Sequence, residues 1–264
     1  MNNFQLTGET LIYPIIGDPI AQVRSPKFLT AIMHDRGING IVPPVHVSAE
    51  LLPTVFEGIS SSQNVPGIVV TIPHKVPMHR YCSSLTERAS FVGAVNVMRR
   101  QPDGSFIGDH LDGVGYLDGM KNSGIEVSNQ RVLQIGVGGA GSAVCYEFLT
   151  RGAGELGLFD VDTDRLTETV TKLSERFPGK VFAHTNDPSG FDIIANVTPI
   201  GMKSSDPTPV QADKLSADMA VCDSITKPAV TELIKRARQL GCRTMTGADM
   251  FDAEAEALVD FLTA

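Results

Sequence analysis

The chain has few cysteines, a deficit of basic residues and no long apolar run, and each shortage narrows what it is. Cys82, Cys145, Cys222 and Cys242 are scattered with no CxxC pair. They read as reduced, mostly buried thiols rather than a disulfide framework. Lys and Arg number 22 against 30 Asp and Glu, a net charge of −8. That balance argues against a nucleic-acid groove or an anionic membrane surface as partner. No apolar run approaches the roughly 18–20 residues needed to span a bilayer. The first residues, Met1-Asn2-Asn3-Phe4, show no basic n-region and no signal-peptide core. A soluble, cytoplasmic setting is therefore expected. His34, His46, His74, His79, His110 and His184 lack HExxH or paired-ligand spacing, so no metal site is expected. There is no GxSxG elbow for a hydrolase.

What remains is an ordinary globular composition, 42% hydrophobic and 20% charged over 264 residues. That length holds one large domain or two modest ones. Strands and helices are expected to alternate from end to end, the pattern of an α/β protein with a mostly parallel sheet. Leu11–Ile16 reads as the first strand. Ser25 reads as an N-cap with Pro26 at the first helical position. Gly67–Ile72 reads as a strand closed by Pro73. Ala94–Met98 and Ser105–Gly108 read as strands flanking a Pro102-Asp103-Gly104 turn. From Arg131 the expected order is strand Val132–Ile135, helix Ser142–Arg151, strand Leu156–Phe159 and amphipathic helix Leu166–Phe177. Strands Asp192–Val197 and Met219–Cys222 follow, then helices Val230–Leu240 and Asp249–Leu262. Met202–Val210 reads as a loop. The domain boundary is expected between residues 108 and 130.

Residues 136–141 read Gly-Val-Gly-Gly-Ala-Gly. Gly136, Gly138 and Gly141 satisfy GxGxxG, with Gly139 and Ala140 inside the turn. Such a turn lets backbone N–H groups approach a pyrophosphate at a helix N-terminus. Alone it could be just a tight turn. Here it follows a strand, opens a helix and precedes a strand ending at Asp160, about where a ribose ligand is expected. The stretch from Arg131 to Asp160 is therefore expected to bind a dinucleotide. A carboxylate accepts ribose hydroxyls and repels a 2′-phosphate, and Val161, Asp162, Thr163 and Asp164 intervene before Arg165. NAD is favoured, with NADP as the alternative. Asp162 or Thr163 reads as the cap of the next helix.

Thr71-Ile72-Pro73-His74-Lys75 ends a valine-rich strand, and the proline should carry Lys75 to the sheet's C-terminal edge, where α/β proteins bind ligands. Asp112 sits in what reads as a turn, Gly108-Asp109-His110-Leu111-Asp112-Gly113. A Lys–Asp pair across an interdomain cleft would polarise a hydroxyl and move its proton. From spacing alone, two surface charges are the favoured reading. His74 and His110 read as exposed loop histidines.

Taken in order, these segments resemble the shikimate/quinate dehydrogenase family. The GxPIxHSxSP pattern is matched by Gly17-Asp18-Pro19-Ile20-Ala21-Gln22-Val23-Arg24-Ser25-Pro26, and NVTxPxK by Val69 to Lys75. GAVNT is matched by Gly93 to Val97, and GxNTDxxG by Gly108 to Gly115. The glycine turn, Asn196-Val197-Thr198-Pro199-Ile200-Gly201-Met202 and Gly247 to Glu254 complete the series. The resemblance implies a substrate domain at residues 1–108, rejoined by a helix at 248–264. It implies a Rossmann-type doubly wound dinucleotide-binding domain at 109–247, with reaction in the cleft between them. It implies Lys75 as general acid/base and Asp112 as its partner at the reacting hydroxyl. Asn96 should hold a neighbouring hydroxyl, and Ser25 and Thr71 the carboxylate. Thr198 and Gly247 should line the nicotinamide side. The implied reaction is reversible oxidation of a secondary alcohol to a ketone, by a monomer or homodimer acting on a small hydroxy substrate.

Departures from the family pattern fall on the substrate side. Val23 replaces a serine and Val69 an asparagine, both usual ligands. Thr226 stands for a tyrosine, Glu254 for a glutamine, and His110 and Leu111 for asparagine and threonine. A missing hydrogen bond to a buried polar group costs about 1–3 kcal/mol. Arg24 could reach a carboxylate instead. Shikimate or quinate, a less polar hydroxy compound, and a non-catalytic sensor of metabolite or dinucleotide all remain open. Retention of Lys75 and Asp112 speaks against the sensor.

Overall fold

The computed structural model describes residues 6–264. The Met1–Phe4 stretch, expected to carry no leader, lies outside the described residues. The chain divides into two compact units. One ends at Leu111 and includes Ala255–Ala264; the other is Asp112–Glu254.

The first unit is built on a six-stranded sheet. Its order is Pro44–His46, Ile15–Gly17, Gly67–Val70, Val97–Arg100, Phe106–Asp109, Ser84–Leu85. The sheet is mixed, because Val97–Arg100 runs antiparallel to both neighbours. The expectation of strand–helix alternation from end to end fails there for a simple reason. A connection as short as Gln101–Ser105 can only return the chain antiparallel. Asp103 accepts the Ser105 N–H at 2.9 Å and Gly104 adopts φ +86°, which closes that hairpin. The expected strand Leu11–Ile16 is split around Pro14, which has no N–H to give. Leu11–Ile12 pairs with Gly40–Ile41, and Ile15–Gly17 joins the main sheet. Helix Leu52–Ser60, absent from the sequence reading, packs Phe56 onto a core of Ile16, Ile68, Val70, Met98 and Phe106.

The second unit has six parallel strands in the order Val181–Ala183, Glu155–Phe159, Arg131–Ile135, Ile193–Asn196, Ala220–Asp223, Arg243–Met245. This is the doubly wound order, with the switch point beside Arg131–Ile135. Ile193–Asn196 and Ala220–Asp223 are buried throughout, as strands covered on both faces must be. Asp162 caps helix Thr163–Arg176 by accepting the Arg165 N–H, as the sequence suggested. Asp112 lies in no turn: it is the first residue of helix Asp112–Asn122. Glycines hid that helix, since they disfavour the conformation. They are there for contact. A Cβ at Gly115 would stand 2.8 Å from the Glu254 Cα, and one at Gly119 2.9 Å from the Asp249 carbonyl oxygen.

Cys145, Cys222 and Cys242 are buried and Cys82 partly so, all as free thiols. Burial pushes the Cys82 thiol up to about 12. No helix among the described residues is long and apolar enough to cross a membrane.

Candidate active site

In the first unit, the residues singled out above collect where strands end. Thr71 follows Gly67–Val70 directly, its N–H donating to the Ile16 carbonyl at 2.9 Å. Asn96 precedes the antiparallel strand Val97–Arg100, and its carbonyl accepts the Val70 N–H at 2.7 Å. Antiparallel pairing thus puts Thr71 and Asn96 at one sheet edge. Lys75 opens the short helix Lys75–Met78 and is half-buried, and its carbonyl takes the Val95 N–H at 2.9 Å. Ser25 is the first residue of helix Ser25–Asp35, after Ile15–Gly17. It is not the cap, contrary to expectation. Arg24 holds that position in helical geometry with no side-chain cap, so Pro26 lies inside the first turn. The Arg24 guanidinium lies 4.8 Å from the centre of the Phe28 ring. Val23 is half-buried, and Val69 is 3% exposed within its strand.

Two histidines expected in exposed loops are buried. His74 is fully buried, and its Nε2 donates to the Val47 carbonyl at 2.7 Å, because a carbonyl can only accept. This fixes the ring beneath the turn that carries Lys75. His110 is 1% exposed, and its backbone N–H donates to the Asp109 carboxylate at 2.7 Å. Asp109 also receives the Thr86 hydroxyl at 2.5 Å and both prongs of the Arg88 guanidinium, Nε at 2.8 Å and Nη2 at 3.0 Å. The loop leading to Asp112 is therefore anchored by a buried, compensated carboxylate. Sequence reading did not find Arg88 or Asp109.

In the second unit, Gly136 adopts φ +92°, and a Cβ there would stand 2.6 Å from the Thr198 methyl. Gly138 is the N-cap of helix Gly139–Thr150 and offers no side chain to the first N–H groups. Gly139 is exposed, Ala140 half-buried and Gly141 buried. Asp160 accepts the Val137 N–H at 2.9 Å on one oxygen and the Asp162 N–H at 2.9 Å on the other. A hollow of about 250 Å³ lies here, bounded by Gly136, Gly138, Asp160, Arg165, Thr198 and Pro209. Open helix N–H groups, a glycine floor and a carboxylate with lone pairs to spare fit a dinucleotide's pyrophosphate and ribose.

Arg165 belongs to this hollow, although sequence distance had set it aside. One helical turn returns it to the rim. There its Nη2 pairs with Asp162 at 2.6 Å, and its Nη1 stands 3.8 Å from Asp160. The Asp162 hydrogen bond, helped by the Asp160 charge, raises the Arg165 pKa.

Thr198 donates its hydroxyl to Asn196 at 2.7 Å. Asn196 in turn donates to Asp223 at 3.1 Å, and Thr231 donates to Asp223 at 2.6 Å. This buried chain ties together the ends of two strands. Gly247 begins the long helix Gly247–Thr263, where a Cβ would stand 2.6 Å from the Ser224 carbonyl oxygen. Glu254 is half-buried on that helix, and Asp112 is 6% exposed.

The family model described as the shikimate dehydrogenase substrate binding domain matches residues 15–98. The shikimate dehydrogenase (NADP(+)) of Rubrobacter xylanophilus is 32% identical, over 92% of this chain and 87% of that one. The chain belongs to the shikimate dehydrogenase family. Its members are NAD(P)-dependent oxidoreductases, and this chain is an enzyme of that kind. A chloroplastic bifunctional 3-dehydroquinate dehydratase/shikimate dehydrogenase of Arabidopsis thaliana is 31% identical over 96% of this chain. This chain spans 44% of that relative's length.

Among solved structures, the shikimate 5-dehydrogenase of Listeria monocytogenes in complex with shikimate and NAD superposes with a TM-score of 0.91. It is 26% identical and covers 98% of this chain and 93% of its own. The ligand-free 5-ketofructose reductase of a Gluconobacter species superposes at 0.90, with 25% identity, 96% of this chain and 93% of its own. The family's architecture, an N-terminal α/β substrate domain and a C-terminal Rossmann-type domain, is the fold of this chain.

Proposed function

We propose that this member of the family reversibly oxidises a ring secondary hydroxyl, that of shikimate or quinate, to a ketone and uses NAD in preference to NADP. The observation that carries the reading is the gathering of Thr71, Asn96 and the Lys75 turn at one sheet edge, on a chain whose other unit has the glycine turn and Asp160. Lys75 takes the hydroxyl proton during oxidation and returns it during reduction. Asp112 is the partner of Lys75 at the reacting hydroxyl, and Asn96 holds the neighbouring hydroxyl. Ser25 and Thr71 bind the substrate carboxylate. Gly136, Gly138, Gly139, Ala140 and Gly141 cradle the pyrophosphate, Asp160 takes the ribose hydroxyls, and Thr198 and Gly247 line the nicotinamide side. When bound, the nicotinamide supplies the hydride acceptor or donor. The protein's share is orientation and proton transfer.

Asp160 supports the preference for NAD. Its two oxygens are set by backbone N–H groups, and Arg165, which lines the hollow, is already engaged by Asp162 and faces Asp160. A 2′-phosphate would meet two carboxylates around one guanidinium.

A second reading keeps this chemistry and changes the substrate. Its support is the apolar side chain of Val69, buried in its strand, together with Val23, where the family pattern has polar ligands. The resemblance to a 5-ketofructose reductase shows that the scaffold serves more than one named substrate. The deciding experiment offers shikimate, quinate and related cyclic and open-chain alcohols with NAD or NADP, and follows reduced cofactor by absorbance. Strong turnover of shikimate or quinate with NAD supports the first reading. Turnover of another alcohol with both of these weak supports the second.

A further inference from the structure

Gln134 interrupts the apolar strand Arg131–Ile135 with a side chain that is fully buried. Its Nε2 stands 2.8 Å from the Gly136 carbonyl oxygen and 2.8 Å from that of Gly141. Carbonyls only accept, so the amide nitrogen must face them, and both of its N–H groups are used. Gly136 and Gly141 are the first and last glycines of the turn. One side chain therefore braces both ends of it from beneath.

The Gly136–Val137 peptide is held on its other side as well. Its N–H donates to Asp160 Oδ2 at 2.9 Å. The carbonyl is tied to Gln134 and the N–H to Asp160, so rotating this one peptide breaks both bonds. Asp160 comes from the end of the neighbouring strand and has its second oxygen on the Asp162 N–H at 2.9 Å. Its direction therefore depends on where the Val137 N–H points.

We propose that Gln134 is a positioning residue of the dinucleotide site: it pins the Gly136–Val137 peptide and so sets both the turn and the direction of the Asp160 carboxylate. The inference rests on the dinucleotide reading above. Without the amide, the Gly136 carbonyl is left buried and short of a donor, which is costly enough to favour a rotated peptide. Rotation withdraws the Val137 N–H from Asp160. Cofactor binding and the choice between NAD and NADP change together, while the substrate side is untouched.

Gln134→Met keeps the length of the side chain and removes both donors. NADH affinity, read by fluorescence titration, should weaken by about tenfold. The ratio of kcat/KM with NAD to that with NADP should fall by a similar factor, with KM for the alcohol unchanged. Gln134→Glu adds a readout that simple packing would not move. A carboxyl donates only when protonated, so NADH binding by this variant should strengthen on acidification more steeply than that of the wild type. If wild-type protein binds no NADH, the dinucleotide reading fails and this inference with it. If wild type binds and folded Gln134→Met matches it in affinity and cofactor ratio, the inference alone is overturned. Should Gln134→Met show no cooperative melt, Gln134→Glu decides, and a pH response parallel to that of the wild type overturns the proposal.

Discussion

The Asn96 side-chain oxygen accepts the Leu111 backbone N–H at 2.8 Å. A residue assigned to substrate is thus also the anchor of the segment that leads to Asp112. With the oxygen held by backbone, donation to a substrate hydroxyl falls to Nδ2. Asn96→Asp keeps the acceptor and removes that donor. It should lower kcat/KM by about tenfold or more. Asn96→Ala loses both functions and should also cost about 1–3 kcal/mol of stability in urea unfolding. Asn96→Ala as stable as the wild type would contradict the anchor.

Arg88 and Asp109 make a second prediction. The Asp109 side chain is 2% exposed and that of Arg88 29%, so removing the guanidinium leaves a buried carboxylate with hydrogen bonds but no opposite charge. Arg88→Met should destabilise the protein by about 3 kcal/mol, the low end for a broken buried pair because Arg88 is partly solvated. Urea unfolding measures it, and a loss within about 0.5 kcal/mol would show that the pair contributes little.

Asp223 gives a pH dependence with a definite sign. Burial raises its pKa, against the opposing hydrogen bonds from Thr231, Ile225 and Asn196. The folded state then holds this proton more tightly than the unfolded chain does. Its contribution to stability is full below the ordinary aspartate range and is lost as pH rises through the raised folded value. The stability of wild type minus that of Asp223→Asn should therefore fall as pH rises from acid through that window. A difference that is flat or rises with pH would contradict it.

Parts of the site were legible in the sequence because they are local. The glycine turn and Asp160 lie in one strand–turn–helix–strand run, and the Asp162 cap is a signal three residues long. Lys75, Asn96 and Asp112 could be given roles only through the order of several motifs, since strand pairing rather than proximity in the chain places the first two at one edge. Gln134 was invisible because its neighbours are backbone carbonyls, which no side-chain pattern reveals. Arg165 was set aside by counting along the chain, where a helical turn returns it to Asp160. In the first sheet the Pro102-Asp103-Gly104 turn was legible, and the antiparallel run of Val97–Arg100 beside Phe106–Asp109 follows from it. Helix Asp112–Asn122 was concealed by the glycines that let it pack closely.

Proton transfer by Lys75 during hydride transfer is tested most directly by comparing wild type with Lys75→Ala in two assays, NADH binding and alcohol oxidation. Lys75→Ala should bind NADH with unchanged affinity and oxidise the alcohol at least about a hundredfold more slowly. Alcohol oxidation by Lys75→Ala at the wild-type rate would contradict it.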